Sequence, residues 1–269
     1  MSAKFFNSKT TFEIPLSTTE RQVKESFSSP AQMNGFLSML YGSVDKSATV
    51  KTDELIGRTI NNMIGETIYA DYGSAALASK SGVKARNLLY EYNTEFSKSL
   101  TAAGAIKDPD FLRYASVQIA LTADRMGRMS TLFNVGATEK FTPRDYMHIV
   151  LLSDFAKGAE GYLQSGTFHD QFVRLPDAET VPYWQGSGTG YGFSDVSKIN
   201  VVTSGSHTVE AGGILGVMFD RDALGVSNPD RRVTTQYNAK AEFFNFWYKF
   251  DASYFNDLNE NFVVFFAAA

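Results

Sequence analysis

One long stretch of the chain, residues 31–72, contains no proline and predicts helix along its whole length. Ser29 before Pro30 is a favourable start, because a hydroxyl side chain caps a helix and proline suits its first position. Apolar side chains recur at three- and four-residue steps on both sides of a polar patch at residues 47–53. A single helix here would be ~60 Å long, several times the usual length. Two helices, the second beginning within the polar patch, are the alternative.

The segment before this helix predicts an extended hairpin. Residues 10–15 alternate apolar with polar side chains, residues 22–27 form a weaker second strand, and polar residues 17–21 separate them. A two-stranded hairpin is marginally stable in water, and this one has few apolar side chains to bury. We therefore expect an arm that packs against something other than itself.

The rest of the chain predicts a mixture of helices and strands. Helical spacing covers residues 87–100, 110–126 and 146–155, the last after a cap at Thr142 and Pro143. Strands are expected at residues 130–135, 199–203, 214–219 and 232–237. Alternating aromatic residues at 244–254, a turn at 256–261 and a return at 262–266 predict a C-terminal hairpin that buries Trp247 in a core. The fold class is therefore α+β.

Composition limits the classes of protein to which the chain can belong. Hydrophobic residues make up 43% and charged residues 20%, which is typical of a folded globular chain. The absence of cysteine excludes disulfides, thiolate metal sites and a cysteine nucleophile. The net charge of −4 gives no general attraction for nucleic acid. No apolar run is long enough for a membrane span or a signal peptide, so we expect a soluble intracellular protein.

No set of residues predicts a catalytic, cofactor-binding or metal site. The three histidines, His148, His169 and His207, belong to no paired-ligand pattern. The glycine-rich stretch at residues 186–192 lacks the following helix of a phosphate-binding loop and predicts a flexible loop. A soluble α+β enzyme would require His148 and His169 to meet in space beside an acidic partner.

Three further motifs have simpler explanations. The S-x-x-K matches at residues 43–46 and 81–84 lack their companion motifs and are attributed to chance. Residues 220–222 suggest a cation site, but a solvated turn or pairing with the arginines of residues 231–232 is preferred. The oxygen-rich residues 256–261 predict a turn, with a weak calcium site as the open alternative.

Several stretches of the sequence resemble the major capsid proteins of tailed bacteriophages of the Hong Kong 97 type. The resemblance begins with residues 213–226 and continues through residues 230–238 and 241–251. Residues 141–152 are also similar to such proteins. The order along the chain agrees, from extended hairpin and long helix through a mixed middle to aromatic terminal strands.

The resemblance implies a Hong Kong 97-type capsid fold with four parts. These are an E-loop-like hairpin at 1–29, the spine helix and peripheral domain at 30–110, the axial domain at 111–235, and peripheral return strands at 236–269. The N-terminal arm that usually precedes the E-loop is expected to be short or missing. Some family members join subunits by a lysine–asparagine bond; Lys9 and Lys24 lie in the E-loop-like hairpin, but no cross-link is predicted.

The function implied by the resemblance is structural rather than enzymatic. The chain is expected to assemble as hexamers and pentamers into the icosahedral shell around the double-stranded DNA of a tailed phage or prophage. Scaffold, portal and decoration proteins are the further candidate partners, and the DNA is enclosed without sequence-specific contact. Assembly in the bacterial host cytoplasm and a final place in the virion are implied as well. An encapsulin-type protein compartment is the alternative, and a soluble α+β enzyme is less favoured.

Overall fold

The computed structural model of the protein describes residues 9–20, 29–165, 178–185 and 190–269. The helices are α1 (Pro30–Tyr72), α2 (Leu88–Glu95), α3 (Ala102–Ala105), α4 (Pro109–Met126), α5 (Ser153–Ser165) and α6 (Phe193–Val196). The strands are β1 (Lys9–Thr19), β2 (Ala85–Asn87), β3 (Met147–Leu152), β4 (Glu179–Val181), β5 (Ile199–Val202), β6 (Thr208–Ala211), β7 (Ile214–Asp220), β8 (Leu224–Asn238), β9 (Phe243–Asn256) and β10 (Phe262–Phe266). The predicted α+β class is confirmed.

The predicted long helix is one continuous helix of 43 residues, α1. Ser29 caps it as expected, because its Oγ accepts a hydrogen bond from the Gln32 amide at 3.4 Å. The polar patch does not interrupt the helix. The hydroxyls of Thr49 and Thr52 each donate to the carbonyl oxygen four residues earlier, at 3.0 Å. Their polar groups are therefore satisfied without a break in the backbone.

The chain divides into two compact units. The first unit comprises Met1–Thr59 and Gly225–Phe255, and the second comprises Ile60–Leu224 and Asn256–Ala269. In the first unit, β1, β9 and β8 form a three-stranded sheet in that order. The β1–β9 pair is antiparallel, from Lys9 opposite Ser253 to Thr19 opposite Phe243.

The predicted N-terminal strand is confirmed as β1, but its setting differs from the expectation. Its proposed hairpin partner, residues 22–27, lies outside the described residues, and the partner that the structure shows is β9. Phe12 and Ile14 pack against Val44 and Phe250 in a small core. Residues 9–19 therefore do pack against something other than their own hairpin, and the partner is a strand of the same chain that is distant in sequence.

The second unit is built on a five-stranded mixed sheet in the order β2-β10-β7-β3-β4. Every residue of β7 and of β10 is buried, which explains their continuous apolar sequences. The largest fully buried side chains of this unit include Phe111 of α4, Phe155 of α5, and Phe262, Phe265 and Phe266 of β10. Strands β5 and β6 form a separate antiparallel pair.

Several sequence predictions agree with these elements. The helix over 110–126 is confirmed by α4, and the strands over 199–203, 214–219 and 232–237 are confirmed by β5, β7 and β8. Helix α2 covers only the first part of the segment predicted over 87–100. No helix in the described ranges combines the length and apolar character that crossing a bilayer requires.

Three sequence predictions are wrong. The segment 146–155, predicted as a helix, is strand β3 followed by α5. Strand β3 pairs with β7 on one side and with β4 on the other. A strand inside a sheet is buried on both faces, so its sequence lacks the polar–apolar alternation that marks a half-exposed strand. Residues 130–135 form no strand and contribute only the isolated bridge from Ser130 to Lys140. The C-terminal hairpin is also wrong, because β9 and β10 belong to different sheets.

The expected burial of Trp247 is a further error. Trp247 is partly exposed rather than buried, and it alternates with Tyr248 and Phe246 along β9. Tyr248 and Phe246 lie opposite Ile14 and Leu16 on the sheet face that packs on α1. The indole therefore belongs to the opposite face of the sheet.

Candidate interaction surface

The histidines of the described residues do not form an enzyme-like cluster. The His148 ring stacks on Phe219 with centroids 5.7 Å apart, and the His207 ring stacks on Tyr69 at 4.3 Å. His169 lies outside the described residues. Within those residues no group of three or more His, Asp or Glu side chains is arranged to hold a metal ion.

The candidate cation motif at residues 220–222 forms a hydrogen-bonded turn. The Asp222 amide donates to Asp220 Oδ1 at 2.9 Å, and the Arg221 guanidinium lies 4.3 Å from the centre of the Tyr146 ring. Arg232, one of the two arginines expected to pair with this motif, instead binds Asp251 at 2.8 Å.

The other motifs also have local structural roles. At residues 256–261, Asp257 Oδ1 accepts hydrogen bonds from the amide and side chain of Asn259, both at 3.0 Å, as expected of a turn. Ser81 donates to Glu91 at 2.7 Å, whereas Lys84 pairs with Asp71 at 3.1 Å. This serine and lysine therefore bind different partners. Of the glycine-rich stretch, residues 186–189 lie outside the described residues.

The first unit presents a surface that its own helix covers incompletely. We define the inner face of the three-stranded sheet as the face on which Val44 and Ala48 of α1 are buried against Phe250. This packing covers β1 and β9 but leaves β8 open. Val233 and Tyr237 on the inner face of β8 remain 52% and 44% exposed.

An apolar groove of about 410 Å³ lies between α1 and the inner face. Its lining is largely aromatic and aliphatic and includes Phe36, Leu37, Tyr41, Phe244, Phe246 and Tyr248. Leu37 and Tyr41 are one helical turn apart, so they project from the same side of α1. Aromatic lining of this kind is enriched in the cores of protein–protein interfaces.

A smaller groove of about 170 Å³ adjoins the apolar one, and Tyr41 and Tyr248 border both. Their rings meet edge to face, with centroids 6.3 Å apart. Burial, together with the neighbouring Tyr41 hydroxyl, raises the pKa of Tyr248. The smaller groove also contains charged side chains, among them Asp45 of α1 and Arg231 of β8.

The opposite, outer face of the same sheet carries a polar network that links all three strands. Asp251 on β9 accepts hydrogen bonds from Thr11 Oγ1 at 2.7 Å and from Arg232 Nη1 at 2.8 Å. The Thr11 hydrogen bond and the Arg232 charge lower the pKa of Asp251. Lys249 pairs with Glu13 at 3.3 Å on the same face. Cross-strand contacts of this kind hold β1 and β8 onto β9.

The uncovered inner face is not predicted by the sequence. Two signals in the sequence are consistent with it: the apolar pair Leu37 and Tyr41 at helical spacing, and the alternation of Val233 and Tyr237 along β8. Neither signal shows which side of its element is exposed. The lining of the larger groove is mainly apolar, and its chemistry suits contact with another macromolecule.

Comparison with known proteins gives one match over nearly the whole chain. The sequence model of the family Phi29-like phage major capsid protein matches residues 1–266. No curated protein sequence matches the chain.

Two solved structures share the fold at low sequence identity. The capsid structure of Staphylococcus phage Andhra has a chain with a TM-score of 0.55 and 10% identity, covering 97% of this chain and 71% of that one. A chain in the structure of the head fiber and inner core protein gp22 of native bacteriophage P68 has a TM-score of 0.56 and 8% identity, with the same coverage. These likenesses show that the fold occurs in structures of phage particles.

Proposed function

Because this chain belongs to the family of Phi29-like phage major capsid proteins, we propose that it assembles as hexamers and pentamers into the icosahedral head of a tailed phage or prophage. The resemblance to tailed-phage capsid proteins is thereby confirmed, and the chain is a shell-forming structural protein of the virion. The observation that carries the proposal is the family match over residues 1–266. No observation favours the encapsulin alternative.

The subunit encloses the double-stranded genome without reading its sequence. A net charge of −4 supports this role, because DNA affinity depends mainly on lysine and arginine. Scaffold, portal and decoration proteins are its further partners, and assembly takes place in the host cytoplasm. The role is not enzymatic, and we assign no residue to a catalytic, cofactor or metal site.

We retain the domain assignment by analogy as part of the proposal. It places the E-loop at residues 1–29, the spine helix and peripheral domain at 30–110, the axial domain at 111–235 and the return strands at 236–269. Continuous helix from Pro30 to Tyr72 supports the position of the spine. A map of the assembled shell at side-chain resolution would test each boundary.

The test is the isolation of particles from bacteria that produce this protein. Electron microscopy should show closed icosahedral shells, and particles from phage-producing cells should contain DNA that resists added nuclease. Shells that are consistently free of DNA and filled with an enzyme would favour the encapsulin alternative. A protein that remains monomeric in every preparation would contradict shell formation.

A further inference from the structure

The two adjoining grooves of the first unit form one continuous exposed trough. We define the trough by Leu37, Tyr41 and Asp45 on α1 and by Arg231 and Val233 on β8. The three α1 residues are spaced by four, so they form one stripe along the helix. Tyr41 is 53% exposed and Val233 is 52% exposed. An apolar surface of this kind, bordered by charges, is typical of a site where a protein partner binds.

The charges along the trough are of two kinds. Arg232 and Lys249 contribute to the lining of the smaller groove, but their charged ends lie on the outer face of the sheet, where they pair with Asp251 and Glu13. Asp45 and Arg231 form no ion pair within 4 Å among the residues that the structure describes. The Arg231 guanidinium lies 5.5 Å from the centre of the Phe250 ring, a contact that leaves its charge uncompensated. In the smaller groove, one acid, Asp45, and one base, Arg231, are therefore available to a partner.

These charges identify a second copy of this chain as the partner that fits best. In a two-fold contact both copies use the same surface. If one residue of the first copy contacts a second residue of the other copy, the reverse contact forms as well. A surface with one unpaired acid and one unpaired base satisfies this condition with two reciprocal ion pairs. A polyanion such as DNA would leave Asp45 opposed by like charge, which is unfavourable.

We propose that the trough is a two-fold contact between two copies, in which Asp45 of each copy pairs with Arg231 of the other. Leu37 and Tyr41 of both copies then form an apolar centre that is closed to water. The inference rests on the proposed function, since a shell requires contacts between copies of its subunit. Beyond that function, the inference specifies which surface forms the contact, its two-fold symmetry and the pair of charges that determines how the two copies orient.

Reversal of the two charges tests the contact. Asp45→Arg alone and Arg231→Asp alone each place like charges together, so each should reduce the assembled fraction about tenfold or more. Mixing the two variant chains restores both ion pairs in a mixed dimer and should recover assembly to about the wild-type level. Rescue between chains distinguishes this contact from coupling between the two residues within one chain.

Asp53→Arg is the matched control, because it makes the same change of charge on the same helix at an exposed position outside the trough. It should assemble like the wild type. Assembly is measured by sedimentation and by electron microscopy, and circular dichroism confirms that each variant is folded. A folded variant that assembles normally, or a mixture as impaired as either variant alone, would overturn the inference.

The two proposals fail in different ways. Wild-type shells whose assembly does not respond to either charge reversal contradict the two-fold contact alone. Wild-type chains that form charge-dependent dimers but no shells contradict the proposed function alone. Wild-type chains that remain monomeric contradict both.

Discussion

Pro15 on β1 lies directly opposite Trp247 on β9 in the antiparallel ladder of the first unit. The Glu20 amide donates to the Glu242 carbonyl at 2.8 Å and so extends the same register. Alternate residues of an antiparallel strand bond to the same neighbour. The nitrogen of Pro15 therefore points to the side of β1 away from β9, where the described sheet has no further strand. Proline is tolerated there and prevents the addition of a strand at the centre of this edge.

Replacement of Pro15 should allow strands of other chains to pair with this edge of the sheet. Pro15→Thr adds an amide donor and a residue that favours strands at the centre of the edge. We expect more irregular aggregate and fewer regular shells, measured by light scattering and electron microscopy. Ser17→Thr is the control, because it changes a neighbouring residue of the same strand without adding a donor. Equal aggregation of the two variants would contradict the assignment of the free edge.

Removal of the Trp247 indole should cost less stability than its size suggests. Trp247 is partly exposed on the outer face, so Trp247→Ala is expected to lower the free energy of unfolding by about 1–2 kcal/mol. Phe250→Ala removes a ring on the inner face from a residue that is only 5% exposed, and it should lower the free energy of unfolding by about 3–5 kcal/mol. Urea unfolding of both variants measures the difference. Equal losses would place Trp247 in a core that the structure does not show.

The Asp251 network should make the first unit sensitive to acid. The pKa of Asp251 is lower in the folded state than in the unfolded chain, where it is near 4. Its contribution is therefore complete above about pH 4 and is lost as the pH falls through the folded-state pKa. Asp251→Asn should reduce stability at pH 7 and show a smaller further loss on acidification than the wild type.

Urea midpoints at pH 7 and at about pH 3 measure this difference. Asp230→Asn is the control, because the Asp230 side chain is 58% exposed and its ion pair with Arg232 is longer, at 3.3 Å. Exposed ion pairs contribute little to stability. An Asp251→Asn variant whose stability falls with acid as steeply as that of the wild type would argue against the network.

Gly213 should be among the least replaceable residues of the second unit. Its φ is +77°, and an added Cβ would clash with the Ala267 carbonyl oxygen. That carbonyl is fixed because the Ala267 amide donates to the Gly213 oxygen at 2.8 Å. Gly213→Ala is expected to lower the free energy of unfolding by roughly 2–4 kcal/mol, from backbone strain and the clash together.

Gly161 provides the matched comparison for this substitution. It lies in α5, and, apart from its chain neighbours and the nearby backbone of its own helix, no atom of the described residues comes within 4 Å of the position that an added Cβ would take. Gly161→Ala should therefore raise the free energy of unfolding by about 0.5–1 kcal/mol. Thermal or urea unfolding measures both variants. A neutral Gly213→Ala would show that the backbone at Ala267 moves more easily than the structure indicates.

Predictions that depend on interactions between residues close in sequence are correct, whereas the wrong ones depend on interactions between distant residues. Helix α1 was predictable because its cap, its proline-free sequence and its hydroxyl hydrogen bonds all act within four residues. Strand β3 was not, because its apolar run fits a buried strand as well as a helix, and only pairing with β7 and β4 decides between them. The outward position of Trp247 likewise depends on which face of β9 meets α1.

By itself, the sequence determined the class of the fold, the long helix and the resemblance to a capsid family, because these features depend on patterns and motifs of residues that are close together in sequence. Only the tertiary structure decided that β9 and β10 belong to different sheets and that Asp45 and Arg231 border one groove. Those relationships join residues far apart in sequence, and the packing of side chains selects them from many pairings that the local pattern permits equally well.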